Sequence, residues 1–151
     1  MKIAVFPGSF DPITRGHESI VNRACTLFDT IYIAIGINAN KSNLFSLDKR
    51  TKYIEETFKN NPKIKVVSYQ ELTVKLCRDL GAKFILRGLR NTSDLNYEFP
   101  ISHANRLLDP AIETVFFITD PGFSAINSSI VRDIYKHGGD IKAFIPDAVE
   151  L

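Results

Sequence analysis

Residues 3–17, IAVFPGSFDPITRGH, indicate a short buried strand, a glycine-containing turn and a helix that begins at about Gly16 and His17. The run Ile3–Phe6 is apolar, which suits a strand buried on both faces of a sheet. Four further runs of this kind follow, at Ile31–Ile35, Ile64–Val67, Phe84–Leu86 and Thr114–Ile118. Five buried strands of this type predict a parallel sheet.

Apolar residues at helical spacing fill the intervals between these runs. Five helices are predicted, at about Ile20–Phe28, Leu47–Phe58, Thr73–Leu80, Ser93–Leu107 and Ser128–Gly139. Ser46 is placed to cap the second helix and Gly81 to end the third. Pro100 should kink or split the fourth. Strand–helix alternation over the whole length predicts a doubly wound α/β, Rossmann-like fold with one domain, residues 1–151.

Composition and charge exclude several classes of protein. The chain is 44% hydrophobic and 24% charged, which is typical of a soluble globular protein. Its net charge of +2 is too small to indicate nucleic-acid binding. No apolar run approaches the roughly 20 residues that cross a bilayer, and no signal-like segment opens the chain, so we expect a cytoplasmic protein. Cys25 and Cys77 lack metal-site spacing and suit core thiols, so no protein-held metal is expected.

Ligands of doubly wound sheets bind outside the carboxyl ends of the strands. The helix start at Gly16 and His17 offers free N–H groups and a positive dipole end, both of which suit a phosphate. The His17 imidazole could donate to a phosphoryl oxygen, and Ser9 offers a hydroxyl. A lone histidine at a helix start is more often a surface residue, and neither the P-loop nor the GxGxxG pattern is present.

Three other segments carry candidate phosphate ligands. Arg87 and Arg90 flank a Gly-Leu pair at the end of the fourth strand, where two guanidinium groups could meet two phosphates. Ser128 and Ser129 begin the last helix, where they could be ordinary caps or could meet a triphosphate. Lys41 follows the second strand, and a lysine in such a loop is usually only solvated.

These segments together resemble one family. Thr14-x-Gly16-His17 resembles the TxGH signature of the nucleotidyltransferase superfamily, and the string PGSFDPITxGH resembles the bacterial phosphopantetheine adenylyltransferases. Arg-Gly-Leu-Arg, followed by Asp94, Tyr97 and Glu98, is similar to the same family. The stretch after the fifth strand resembles the ISSxxx[RK] signature. The resemblance runs from Met1 to about Val149, and the final helix looks short beside that of relatives.

The last signature departs from the family pattern at two positions. Asn127 replaces the first of the three usual serines, and Phe123 stands where the family often has tryptophan. Both positions lie in the stretch that would contact ATP. The departures therefore concern the loop that would contact ATP, whereas the class of reaction depends on the other signatures.

The resemblance implies a nucleotidyltransferase fold and transfer of the adenylyl group of ATP to 4'-phosphopantetheine, giving dephospho-CoA and pyrophosphate. It implies catalytic roles for His17, Ser9 and Lys41, and acceptor binding by Ser9, Lys41, Thr73 and Arg87. It also implies Mg²⁺ bound with ATP and a homohexamer. The implied ATP contacts are Ser9, Phe10, His17, Gly88, Leu89, Arg90, Glu98, Phe123, Ser124, Ala125, Ile126, Asn127, Ser128 and Ser129.

Two alternatives remain at this point. One is another small nucleotidyltransferase, acting on a cytidylyl group or on nicotinamide mononucleotide. Arg-Gly-Leu-Arg with Asp94, Tyr97 and Glu98 disfavours it. The other is a non-catalytic nucleotide-binding sensor, which would need no second basic subsite for an acceptor. The presence of both Lys41 and Arg87 disfavours the sensor.

Overall fold

Five parallel strands form one sheet in the computed structural model, which describes all 151 residues. The strands are β1 Ile3–Gly8, β2 Thr30–Gly36, β3 Ile64–Tyr69, β4 Phe84–Leu89 and β5 Glu113–Ile118. Their order is β3-β2-β1-β4-β5, and every neighbouring pair is parallel. The chain therefore winds outward from β1 in one direction and then from β4 in the other. This confirms the predicted doubly wound α/β fold.

Five α-helices connect and follow the strands. They are α1 Arg15–Ala24, α2 Leu47–Phe58, α3 Thr73–Leu80, α4 Thr92–Leu108 and α5 Ser128–Lys136, with a short 3₁₀ turn at Pro121–Phe123. The Ser46 hydroxyl accepts from the backbone N–H of Lys49 at the start of α2. Gly81 ends α3 with φ +67°, the left-handed conformation that glycine adopts without strain. Both capping predictions are confirmed.

Helix α1 ends earlier than the apolar spacing predicted. It stops at Ala24, before Leu27 and Phe28. The N–H groups of Thr26 and Leu27 bond to the carbonyls of Arg23 and Ala24, three residues back, so the chain tightens and turns toward β2. Leu27 points into solvent, with 54% of its surface exposed. An apolar residue at helical spacing was therefore not a core residue.

Helix α4 continues through Pro100 as one helix, so of the predicted kink or split the split is wrong and the kink stays a prediction. The proline ring leaves the carbonyl of Asn96 without its helical partner. Both Pro100 and Asn96 are exposed, so water can satisfy that carbonyl. An exposed site makes the missing bond tolerable in an otherwise regular helix of 17 residues.

The core lies on both faces of the sheet. One cluster joins β1 and β2 to α1, α2 and α5, and residues after α5 complete it through Ile141, Ile145 and Val149. A smaller cluster packs α3 on the other face and contains Cys77. Burial, with a contribution from Asp109, raises the pKa of Cys77 to about 11, as expected of a core thiol. No helix is both long and apolar enough to cross a membrane.

Candidate functional site

Two cavities meet at the carboxyl ends of β1 and β4, where the strand order reverses. The first, called here the Thr73 cavity, has a volume of about 360 Å³ and reaches from Gly8 to α3 and α4. The second, the His17 cavity, has a volume of about 320 Å³ and lies between the start of α1 and that of α5. The residues common to both walls are Pro7, Gly8, Ser9, Arg87 and Glu98. Ligands in the two cavities would therefore meet at this shared wall.

His17 is fixed by the cap of its own helix. The backbone N–H of Thr14 donates to Nδ1 of His17 at 3.0 Å, and the Thr14 hydroxyl accepts from the backbone N–H of His17 at 3.4 Å. This is a capping box in which histidine replaces the usual Glu or Gln. Because Nδ1 accepts a hydrogen bond, the proton of the neutral ring lies on Nε2.

The electrostatic surroundings keep His17 neutral. Burial, followed by the positive charges of Arg87 and Arg90, lowers the pKa of His17 to about 4. The rings of Phe6 and Phe10 pack against the imidazole at centroid distances of 6.0 and 5.0 Å. The site therefore offers an oriented N–H donor that carries no charge at neutral pH.

The turn between β1 and α1 has an uncommon backbone. Phe10 adopts φ +47°, and the Asp11–Pro12 peptide is cis. This conformation turns the Phe10 ring over Gly8, where a Cβ would lie only 3.0 Å from a ring carbon. A glycine at position 8 thus lets the ring cover the end of β1 beside His17.

Gly88 permits close packing of β4 against α1. A Cβ on Gly88 would lie 2.3 Å from Cδ1 of the buried Ile20, so no side chain fits without movement. The predicted strand ended at Leu86, whereas β4 continues to Leu89. Arg87 and Gly88 therefore belong to the rigid sheet rather than to a loop after it.

Both arginines of this strand end pair with carboxylates of α4. Arg87 donates through Nε and Nη2 to the two oxygens of Glu98, and through Nη1 to the carbonyl of Pro7. Arg90 makes a similar pair with Asp94, at 3.0 Å for each side-chain bond. Partial burial opposes ionisation of Asp94, but the hydrogen bonds from Arg90 prevail and lower its pKa.

Arg87 keeps N–H groups for a ligand in spite of these contacts. Its five guanidinium N–H groups make three bonds within the protein, which leaves one N–H on each terminal nitrogen. Glu98 is 7% exposed and lies on the shared wall of the cavities. It acts here as the partner that holds the Arg87 fork in place.

Ser9 and Lys41 come together although they are far apart in sequence. The Lys41 ammonium donates to the Ser9 hydroxyl at 2.9 Å. Ser9 lines both cavities, so its hydroxyl lies at their junction. Thr73 lines the first cavity, and its hydroxyl shares a hydrogen bond of 3.1 Å with the Tyr69 hydroxyl. The residues predicted for the acceptor therefore lie in or beside the Thr73 cavity.

The start of α5 forms the far wall of the His17 cavity. Asn127 caps the helix by accepting from the backbone N–H of Ile130 at 2.9 Å. Ser128 donates to the carbonyl of Pro12 at 3.0 Å, which ties α5 to the first turn. The replacement of serine by Asn127 thus keeps a capping side chain at this position.

Most, but not all, of the residues predicted to contact ATP line the His17 cavity. Ser9, Phe10, His17, Gly88, Arg90, Glu98 and Ile126–Ser129 do so. Leu89 is 7% exposed and lines neither cavity. Phe123, Ser124 and Ala125 also lie outside both walls. The ATP contact remains a prediction for all of these residues, and these four lack even a place in the cavity wall.

Three residues that brace the site were missed by the sequence analysis. Asp11, Arg50 and Arg132 all bond to backbone groups of the loops around the cavities. Arg132 was noticed only as the end of a signature, and it donates to the carbonyl of Asp11 at 2.9 Å. Arg50 lies on a helix and resembles a solvated charge, so nothing local in the sequence marked it.

Known proteins resemble this chain along its full length. A model of the cytidylyltransferase-like family matches residues 5–134. The phosphopantetheine adenylyltransferase of Flavobacterium johnsoniae is 54% identical, and that of Flavobacterium psychrophilum is 52% identical; each match covers the whole chain and 99% of the relative. The protein of the same name from Bacteroides thetaiotaomicron is 44% identical over the same span.

A solved structure supports the fold alone. It is the bifunctional NMN adenylyltransferase/ADP ribose pyrophosphatase of Francisella tularensis, complexed with AMP and a Mn ion. Its TM-score to this chain is 0.70 at 18% identity, and the match covers 95% of this chain and 44% of that longer one.

Proposed function

This chain belongs to the phosphopantetheine adenylyltransferase family, within the cytidylyltransferase-like nucleotidyltransferases, and we propose that it makes dephospho-CoA from ATP and 4'-phosphopantetheine. A phosphate oxygen of phosphopantetheine attacks the α-phosphorus of ATP. The bond from that phosphorus to the bridging oxygen breaks, and pyrophosphate leaves. The reaction is a step of coenzyme A biosynthesis.

The observation that carries this proposal is the neutral, oriented imidazole of His17. Phosphoryl-type transfers need little covalent help, so positioning and charge stabilisation supply most of the catalysis. With Nδ1 held by Thr14, the Nε2–H of His17 is the donor available to the α-phosphate. A preorganised donor of this kind stabilises the charge that develops on the phosphoryl oxygens in the transition state.

The shared wall of the cavities suits the meeting of two anionic substrates. We assign ATP to the His17 cavity and phosphopantetheine to the Thr73 cavity. Lys41 and Ser9 then hold the attacking phosphate at the junction, and the free N–H groups of Arg87 bind it from the other side. This support rests on the 2.9 Å contact between Lys41 and Ser9 and on the position of Arg87 in both walls.

We propose that Mg²⁺ enters with ATP rather than occupying a site built by the protein. The chain has no group of three His, Cys, Asp or Glu side chains that could hold a metal ion. The two carboxylates beside the His17 cavity, Asp94 and Glu98, are engaged by arginines. Phosphate oxygens and water are ordinary ligands of Mg²⁺, which when bound would neutralise charge on the β- and γ-phosphates.

We also propose that the protein is a homohexamer, as the family resemblance implies. Helix α4 supports self-association because it exposes large apolar side chains beyond what a solvated helix needs. These are Leu95, Tyr97, Phe99, Ile101, Leu107 and Leu108. Light scattering would give the molar mass directly, and a monomer at micromolar concentration would contradict this assignment.

We place the reaction in the cytoplasm, where ATP is available.

The decisive experiment offers ATP and Mg²⁺ with a panel of phosphorylated acceptors. The panel contains 4'-phosphopantetheine, nicotinamide mononucleotide and glycerol 3-phosphate, and CTP is tested in place of ATP. Pyrophosphate release and the mass of the nucleotide product are measured. Release only with ATP and phosphopantetheine would support the proposal. Release with another acceptor would favour a different nucleotidyltransferase, and tight ATP binding without release would favour a sensor.

A further inference from the structure

The carboxylate of Asp11 joins two loops of the site. Asp11 lies in the turn between β1 and α1 and is 1% exposed. Its Oδ1 accepts from the backbone N–H of Phe45 and its Oδ2 from that of Leu44, each at 2.8 Å. Both donors belong to the segment 37–46, which follows β2 and carries Lys41. One side chain therefore fixes the end of that segment to the turn that leads to His17.

Arg50 of α2 strengthens the same connection. It is 3% exposed and donates through Nε to the carbonyl of Phe45 at 3.1 Å and through Nη1 to the carbonyl of Ser9 at 2.9 Å. Desolvation lowers the pKa of this guanidinium, and the charge of Asp11 acts against that shift. We call Asp11 and Arg50, with the backbone groups of Ser9, Leu44 and Phe45 that they bind, the Asp11 clasp.

Lys41 depends on this clasp for its position. It is exposed, and its only side-chain hydrogen bond goes to the Ser9 hydroxyl. The segment that carries it is tied on one side by β2 and, three residues beyond Lys41, by the contacts of Leu44 and Phe45 with Asp11. Ser9 is held through its own carbonyl by Arg50. Both members of the Lys41–Ser9 pair are therefore attached to the Asp11 clasp, Lys41 through the contacts of Leu44 and Phe45 and Ser9 through Arg50.

We propose that Asp11 is a positioning residue for adenylyl transfer, which acts by setting where Lys41 lies relative to Ser9. The inference rests on the function proposed above, because it assigns the attacking phosphate to that pair. Displacing a binding group by about 1 Å can cost a hundredfold in rate. Asp11 itself lines neither cavity, so its effect on substrates would pass through Lys41.

A double-mutant cycle between Asp11 and Lys41 tests this directly. Asp11→Asn puts an amide N–H against one backbone N–H and so breaks one of the two Asp11 hydrogen bonds at nearly constant volume. We expect it to lower kcat/KM for phosphopantetheine by about tenfold to a hundredfold, with the Kd for ATP nearly unchanged. In a Lys41→Ala background, Asp11→Asn should lower kcat/KM for phosphopantetheine by no more than about twofold. A difference of that size is within the range in which independent mutations are additive.

Hydrogen exchange supplies a readout that does not depend on activity. The amides of Leu44 and Phe45 should exchange faster in Asp11→Asn than in the wild type. Asp29→Asn is a matched control, since Asp29 accepts a backbone N–H from Lys2 at 2.7 Å at the amino ends of β1 and β2, away from the cavities. Asp29→Asn should change neither the exchange rates of the Leu44 and Phe45 amides nor the turnover rate. If Asp11→Asn does not fold, Asp11→Glu keeps both acceptor oxygens but displaces them by one methylene, and it takes the place of Asp11→Asn in the same cycle.

An equal loss of kcat/KM in both backgrounds would overturn the proposal, because Asp11 would then act without Lys41. Unchanged exchange at Leu44 and Phe45 would overturn it as well. Failure of the proposed function looks different. In that case the wild type itself would release no pyrophosphate with phosphopantetheine, whereas the exchange result would still report on the clasp.

Discussion

The Nδ1 atom of His17 accepts the backbone N–H of Thr14 at 3.0 Å, so the cap of helix α1 also fixes the tautomer of the imidazole. Capping boxes usually place Glu or Gln at this position. A histidine there satisfies the same N–H and leaves a second nitrogen on the far side of the ring. One local contact therefore caps the start of a helix and orients a donor.

Replacing His17 with alanine should damage the chemical step more than substrate binding. A donor that acts as charge develops lowers kcat when it is lost, with little effect on ground-state affinity. Losing one such donor typically costs about 10²–10³ in kcat. Single-turnover adenylyl transfer at saturating ATP and phosphopantetheine measures this.

His17→Asn is the matched control for that experiment. An asparagine amide can accept from Thr14 and still donate, so it should keep the cap and recover part of the rate. A folded His17→Ala variant that keeps more than roughly a tenth of the wild-type rate falls well short of the expected loss. That result would remove His17 from the catalytic role.

The lowered pKa of His17 predicts how stability changes with pH. The folded protein holds the ring neutral down to about pH 4, whereas an unfolded histidine protonates near 6.5. The unfolded state therefore binds more protons between these values, and stability falls as the pH drops from about 6.5 to 4. The loss attributable to His17 reaches at most about 3 kcal/mol, at 1.36 kcal/mol per pKa unit.

Urea denaturation at pH 7 and at pH 5 tests this assignment. The wild type should lose more stability between the two values than His17→Ala does, because the variant lacks the titrating group. Equal losses would show that the ring is not held neutral by the fold.

Gly88→Ala should destabilise the protein through its contact with Ile20. The added Cβ would lie 2.3 Å from Cδ1 of that buried side chain. Forcing an extra carbon into a packed core typically costs about 1–3 kcal/mol. Ile20→Val removes Cδ1, so the double variant should recover part of the loss despite its smaller core.

Gly36→Ala gives the matched control for Gly88. Gly36 also lies at the carboxyl end of a strand, but the nearest atom to its Cβ would be 3.8 Å away, an ordinary contact. Thermal melting of the three variants should leave Gly36→Ala close to the wild type. A Gly88→Ala protein as stable as Gly36→Ala would show that Ile20 turns its Cδ1 aside at little cost, so that Gly88 is not required for this packing.

The parts of the site that the sequence predicted are those encoded in consecutive residues. The apolar strands and the TxGH turn are local patterns, and their relative positions follow from the rule that ligands meet the carboxyl ends of parallel strands. Asp11 and Arg50 were not predictable in this way. Their partners are backbone N–H groups for Asp11 and backbone carbonyls for Arg50, and no residue type marks such a group in the sequence. Leu27 shows the converse error. Its helical spacing predicted a position on the buried face of the first helix, whereas the folded chain leaves it exposed to solvent.

Arg87→Ala should weaken phosphopantetheine binding more than ATP binding. Because Arg87 is paired with Glu98, the measurement must separate the loss of a substrate contact from the loss of this ion pair. Removing Arg87 takes away charge-assisted contacts to the acceptor phosphate, at a cost of about 1.5–3 kcal/mol. It also leaves the carboxylate of Glu98, which is 7% exposed, without its partner. An unpaired buried carboxylate destabilises the fold and could lower both affinities for a reason unrelated to substrate.

The double variant Arg87→Ala/Glu98→Gln separates the two effects. Neutralising Glu98 should restore much of the thermal stability lost in Arg87→Ala, because no buried charge remains unpaired. It should not restore phosphopantetheine affinity, since the guanidinium is still absent. Arg90→Ala/Asp94→Asn is the matched pair on the nucleotide side, and calorimetry should show the opposite order, with ATP losing more. If Arg87→Ala/Glu98→Gln binds phosphopantetheine as tightly as the wild type, then Arg87 serves only to satisfy Glu98, and the acceptor phosphate must depend on Lys41 and Ser9 alone.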